Sequence, residues 1–175
     1  MKKRWNAKVV VYLGLLVALN IILTRVFGFY IGPTIRISFG GIPLMLAGIL
    51  FGPIAGAVAG IAADFVGIMI RNVGGFFIGF TLSAALVGFI PGLIFQRNRG
   101  KKKYSLPKLI TAVILKTVIV GLTLNTLWLV IMYDKGFLAI FPGRVLARLI
   151  MAPIEIFVLS IILRTFDKEG MSQQF

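Results

Sequence analysis

The chain has 175 residues, 59% of them hydrophobic, with a mean hydropathy of +1.01 and only 14% charged residues. A soluble domain of this size cannot hide so much apolar surface, so the composition describes one polytopic membrane domain. Cys and His are absent, and the five carboxylates, Asp64, Asp134, Glu155, Asp167 and Glu169, show neither paired nor metal-site spacing. That excludes thiol chemistry and the usual zinc or iron ligand sets, and it leaves no catalytic group, no metal site and no cofactor to expect. The net charge of +14 is distributed as a topology signal rather than as a nucleic-acid footprint. Lys2, Lys3, Arg4 and Lys8 precede the first apolar segment, and Arg97, Arg99, Lys101, Lys102, Lys103 and Lys108 crowd one loop, which the positive-inside rule places in the cytoplasm.

In chain order, Val9 to Phe27 is long enough to span and carries Gly14 and Ala18 as a small-residue pair, with Asn20 and Arg25 in its outer half. No small-residue cleavage site follows it, so it reads as a retained helix. The stretch around Gly28 to Gly41 is too rich in Gly and aromatic residues to continue the helix and is expected as a structured outer loop containing Arg36. Residues 42–51 form a short second helix, ended by Gly52-Pro53, and 53–70 form a third, after which Arg71 and Asn72 mark an outer turn. A fourth helix over 76–95 carries Phe80, Thr81 and Ser83. Residues 96–108 are the basic cytoplasmic loop, whose expected roles are orientation and contact with lipid headgroups. A fifth helix over 109–133 holds Lys116, Asn125 and Trp128, and a sixth over 144–166 holds Arg144, Arg148 and Glu155. The expected architecture is an all-α integral membrane protein, a bundle of six transmembrane helices with both termini cytoplasmic.

The third helix organises the rest. Gly52, Gly56, Gly60 and Asp64 recur every fourth residue on one stripe, with Ala55, Ala59, Ala63 and Gly67 on the next. Small residues at that spacing let helix backbones approach closely in lipid. A carboxylate at the end of such a stripe is costly in an apolar span and belongs in the bundle interior or a watery cavity. At about 1.5 Å of rise per residue, Asp64, Asn125 and Arg148 fall at similar depth on three helices, roughly 6 to 12 Å below the outer surface. They are expected to line one outward-facing pocket, with Trp128 and Phe80 beside them and Arg25, Arg36, Arg71 and Arg144 near its mouth. Aromatic walls, one carboxylate, one amide and several guanidiniums suit a flat heteroaromatic ligand with an anionic tail. Lys116 and Glu155 are expected to pair with each other inside the bundle rather than to meet ligand. The chain has no G-x-x-x-x-G-K-[ST] loop, so a ligand-binding function would need a separate motor.

The segments Arg36-Ile-Ser-Phe-Gly-Gly-Ile-Pro43, Leu50-Phe-Gly-Pro-Ile-Ala-Gly56, Gly60-Ile-Ala-Ala-Asp-Phe-Val-Gly67, Gly79-Phe-Thr-Leu82 and Leu124-Asn-Thr-Leu-Trp128 resemble the substrate-binding S components of energy-coupling factor (ECF) vitamin transporters, most closely the folate-specific branch. The resemblance implies a multi-pass prokaryotic cell-membrane protein that captures vitamin outside the cell. It also implies partners, a transmembrane coupling subunit and two ATPases. In that scheme Asp64 and Asn125 hydrogen-bond the pterin ring, Trp128 and Phe80 pack on it, and arginines such as Arg25, Arg36 and Arg148 hold the glutamate carboxylates. Gly14 and Ala18 match the small-residue face of the first helix that docks on the coupling subunit, with Gly in place of the usual first Ala. The same machinery with pantothenate, riboflavin or a thiamine precursor, and a purely structural membrane subunit, remain the alternatives.

Overall fold

A computed structural model of the chain describes residues 6–31, 35–70, 77–96, 105–133 and 136–168. Arg71 and most of the basic loop, residues 97–104, lie outside them. Helix α1, Ala7–Ile21, runs on without a break into a π-helical stretch, Ile22–Val26. Where a structured loop is expected, the chain forms a small hairpin of β1, Phe29–Ile31, and β2, Ile35–Ile37. Its antiparallel register pairs Phe29 with Ile37, Tyr30 with Arg36 and Ile31 with Ile35. Aromatic and β-branched residues favour that pleated form over a coil.

Helix α2, Gly41–Phe51, has no polar face, and every residue from Ile42 to Phe51 is buried. A helix that is apolar all round belongs inside the bundle, and its 11 residues are too few to cross a bilayer. The chain then turns at Gly52, whose φ of 103° is open to glycine alone at little cost. Pro53 opens helix α3, Pro53–Ile70, at the position where its missing N–H matters least.

Helix α4, Ile78–Gln96, packs antiparallel on the glycine stripe of α3 through backbone contact. A Cβ built on Gly92 would lie 2.5 Å from Pro53 Cα, and one on Gly56 would lie 2.5 Å from the Gly88 carbonyl oxygen. One on Gly60 would collide with the Ala84 carbonyl. The ladder therefore runs Pro53 to Gly92, Gly56 to Gly88 and Gly60 to Ala84, and its next rung is Asp64 facing Thr81. Gly48 of α2 meets Gly88 from the other side, so three backbones converge on one point. The second stripe, Ala55, Ala59, Ala63 and Gly67, is buried as well.

The fifth expected helix is interrupted in its hydrogen-bond register. Helix α5, Leu106–Lys116, passes through a π-helical stretch, Thr117–Leu124, into α6, Asn125–Tyr133. The last helix, α7, is Phe137–Lys168 and starts well before the expected Arg144. In the sequence, Pro142-Gly143 suggests a break there. Pro142, the sixth residue of α7, gives up the bond its N–H would make to the Leu138 carbonyl without ending the helix, and Phe137 and Phe141 stack one turn apart with ring centroids at 5.0 Å. The deepest apolar packing joins α2, α5 and α7 through Met45, Leu109, Val113, Leu159 and Leu163. Among the described residues, five helical segments are long and apolar enough to cross a membrane: Ala7–Val26, Pro53–Ile70, Ile78–Gln96, Leu106–Met132 and Ile140–Lys168. The shorter α2 is enclosed among them.

Candidate functional site

The glycine ladder ends at the carboxylate. Asp64 is half-buried, and its Oδ2 accepts a hydrogen bond of 2.6 Å from Thr81 Oγ1 on α4. That length is in the range of hydroxyl-to-carboxylate bonds, which are among the stronger kind. On the other side of α4, Trp128 Nε1 donates to Ser83 Oγ at 3.1 Å. The Trp128 ring also meets Phe77 at a centroid distance of 5.6 Å, and Phe77 meets Phe80 edge-on at 5.9 Å. Gly79 makes this possible, because a Cβ there would sit 2.6 Å from the indole. One turn of α4 thus carries a carboxylate's donor on one flank and an aromatic group on the other.

A basic region begins one helical turn below Trp128. The Asn125 N–H bonds to Val120 O, five residues back, as a π-helix requires. The Gly121 carbonyl, which an α-helix would offer to Asn125, accepts instead from Arg144 Nε at 3.2 Å. Arg148 lies over the same glycine, where a Cβ would be 2.8 Å from its Nε. The Asn125 Oδ1 is buried without a hydrogen-bond partner among the described residues, as are the hydroxyls of Thr117 and Thr126. Register shifts of this kind are frequent at functional sites because they free backbone groups and turn side chains.

Further inward, Lys116 and Glu155 form the expected pair, with Nζ 2.5 Å from Oε2 and both side chains buried. The pair sits beside Gly41 at the start of α2, where a Cβ would be 3.0 Å from Glu155 Oε1. An anion suits the N-terminal end of a helix whose first N–H groups lack intrahelical partners.

The three residues expected at one depth therefore have different neighbours: Asp64 meets α4, Asn125 lies on the path between Trp128 and Gly121, and Arg148 lies against Gly121. They are linked through α4 and the π-helical stretch rather than by direct bonds to each other. Phe80 and Trp128 are brought together by Phe77. Arg25 reaches across to α3, where its guanidinium lies on Gly67, one turn from Asp64; a Cβ on Gly67 would be 3.1 Å from its Nε. The Arg36 backbone is held in the hairpin opposite Tyr30, and its side chain lies outside the described part, as does all of Arg71. Gly14 and Ala18 are exposed on α1, and nothing lies within 4 Å of a Cβ placed on Gly14. Sequence reasoning places Thr81 and Ser83 on the fourth helix without giving them a role, meets Gly79 only within the Gly79-Phe-Thr-Leu82 segment of the resemblance, and misses Phe77 and Gly121. Two hydroxyls in an apolar span are the available signal for the first two.

Residues 8–163 match the family described as ECF transporter, substrate-specific component. The chain belongs to that family. It is 38% identical over 154 residues to the folate transporter FolT of Clostridium novyi (strain NT), covering 88% of this chain and 87% of that one. The FolT of Leuconostoc mesenteroides subsp. mesenteroides is 32% identical over 152 residues, covering 83% of this chain and 79% of its own. A crystal structure of FolT bound with folic acid superposes with a TM-score of 0.81 at 30% identity, covering 93% of this S component and 98% of the solved chain. This S component is a multi-pass protein of the bacterial cell membrane, and its family is a transporter's substrate-binding component rather than an enzyme.

Proposed function

We propose that this S component binds folate at the outer face of the membrane and delivers it through a coupling subunit driven by two ATPases. In this reading all six helical units lie in the membrane with both termini cytoplasmic. Asp64 and Asn125 meet the pterin ring, Trp128 and Phe80 pack on its faces, and Arg25, Arg36, Arg71, Arg144 and Arg148 answer the glutamate carboxylates. Gly14 and Ala18 form the docking face for the coupling subunit, with no substrate chemistry anywhere in the chain.

The observation that carries the reading is the Asp64 carboxylate, held by Thr81 at one oxygen and flanked across α4 by a cluster of three aromatic rings. A pterin's aminopyrimidine edge presents two adjacent donors, which match a carboxylate, and its flat ring matches aromatic walls. The folate transporters among its relatives, one of them solved with folic acid, support the choice of ligand. Arg144 and Arg148 lie where an anionic tail would find cations in a medium that strengthens such bonds.

The test is calorimetric titration of the detergent-purified chain with folate, pantothenate, riboflavin and thiamine. Saturable binding of folate alone is expected. Tight binding of another vitamin with none of folate would overturn the ligand, and binding of none by a folded sample would return the chain to a structural role.

A further inference from the structure

We propose that Thr81 and Ser83 are positioning residues that make one turn of α4 the template for ligand recognition. The inference rests on the reading of Asp64 and Trp128 as ligand contacts and adds how they are held. Two residues apart on a helix, side chains point roughly 200° from one another about the axis. Thr81 accordingly faces α3 and Ser83 faces α6, and each holds one group: the hydroxyl of Thr81 donates to Asp64 Oδ2, and the oxygen of Ser83 accepts from Trp128 Nε1.

Both hydroxyls are buried, Thr81 at 7% exposure and Ser83 at 3%, so neither is exchanging freely with bulk water. Thr81 restrains the carboxylate at Oδ2, and Oδ1 is the oxygen left to accept from the ligand. Ser83 takes the one polar atom of the indole, which turns the ring's hydrogen-bonding edge toward α4. The glycine ladder beneath fixes α4 against α3 backbone to backbone, so the donor on α4 and the carboxylate on α3 cannot drift apart. A site whose groups are locked before ligand arrives loses less freedom on binding, and that gain appears as affinity.

The experiment is folate titration of Thr81→Val, Thr81→Ser, Asp64→Asn and the Asp64→Asn/Thr81→Val double variant. Thr81→Val is expected to weaken binding about tenfold, the size of one lost hydrogen bond to a charged group. Thr81→Ser should restore it, and Thr81→Val should add little on top of Asp64→Asn. Wild-type affinity in Thr81→Val beside a weakened Asp64→Asn overturns the positioning role alone. An undiminished effect of Thr81→Val in the Asp64→Asn background, or no rescue by Ser, overturns it too, because the hydroxyl then acts by another route. If Asp64→Asn itself binds normally, the ligand contact falls and this inference falls with it. Thr81→Ala replaces the Val variant should that fail to give a monodisperse sample.

Ser83 is read spectroscopically. In a Trp5→Phe background, Trp128 is the single indole, since the chain has two Trp residues. Ser83→Ala should shift the emission of the ligand-free protein and weaken folate binding. Unchanged emission would remove Ser83 from the proposal.

Discussion

The two flanks of the candidate site are built in opposite ways. On the α3–α4 side, side chains are removed: Gly56, Gly60, Gly88 and Gly92 bring backbones into contact, and the first full-sized polar pair on the ladder is Asp64 with Thr81. On the α5–α7 side, the longest polar side chains are packed against a backbone that has left the α-helical register. Arg144 bonds to the Gly121 carbonyl, Arg148 covers the same glycine, and Lys116 is buried against Glu155. The first arrangement is stiff because a backbone cannot yield by changing rotamer. The second keeps charge inside the membrane by internal pairing, and it depends on partners staying together.

That contrast can be broken from either side. Gly88→Leu should have the largest effect, because its Cβ would lie 2.2 Å from the Gly56 carbonyl oxygen of α3, a backbone atom that cannot turn aside. Loss of the monodisperse peak and of a cooperative thermal transition is expected; a stable Gly88→Leu protein would mean that α3 and α4 are not held by the ladder. Lys116→Met should come next, destabilising by about 3–5 kcal/mol because it leaves Glu155 buried without its cation. Replacing both members, as in Lys116→Met/Glu155→Met, should recover much of that in a thermal melt, whereas no recovery would assign the pair a role beyond mutual neutralisation. Gly14→Leu with Ala18→Leu should be the mildest. Both positions are exposed, so stability and folate binding should stay within about 0.5 kcal/mol of wild type. Assembly with the coupling subunit is the property expected to fail, and unchanged assembly would remove the reason for assigning that face.

The same contrast explains what can be read from the chain alone. Small residues every fourth position in an apolar span have few physical uses, so the stripe ending at Asp64 announces its close packing, and the Gly52-Pro53 turn is equally plain. The Lys116–Glu155 pair is legible because two opposite charges inside apolar helices must find each other. Nothing in Thr117-Val-Ile-Val-Gly-Leu-Thr-Leu124 distinguishes π from α register, since both bury the same apolar residues. The grip of Arg144 on a main-chain carbonyl is hidden for the same reason, because a backbone acceptor has no signature in side-chain spacing. The early start of α7 is hidden as well, because it places Pro142, a residue that ordinarily ends a helix, inside one. Thr81 and Ser83 are visible as residues, but their roles depend on which helices lie on either side of α4.

The measurement closest to the central claim is the folate affinity of Asp64→Asn, determined calorimetrically beside wild type with a thermal melt of each. The amide keeps the size of the side chain, but it gives up the charge and replaces one acceptor oxygen with a donor. A loss of roughly tenfold to a hundredfold in affinity is expected, with the melt little changed. Wild-type affinity in Asp64→Asn would contradict the account, because the carboxylate at the end of the glycine ladder would then have no part in holding the ligand.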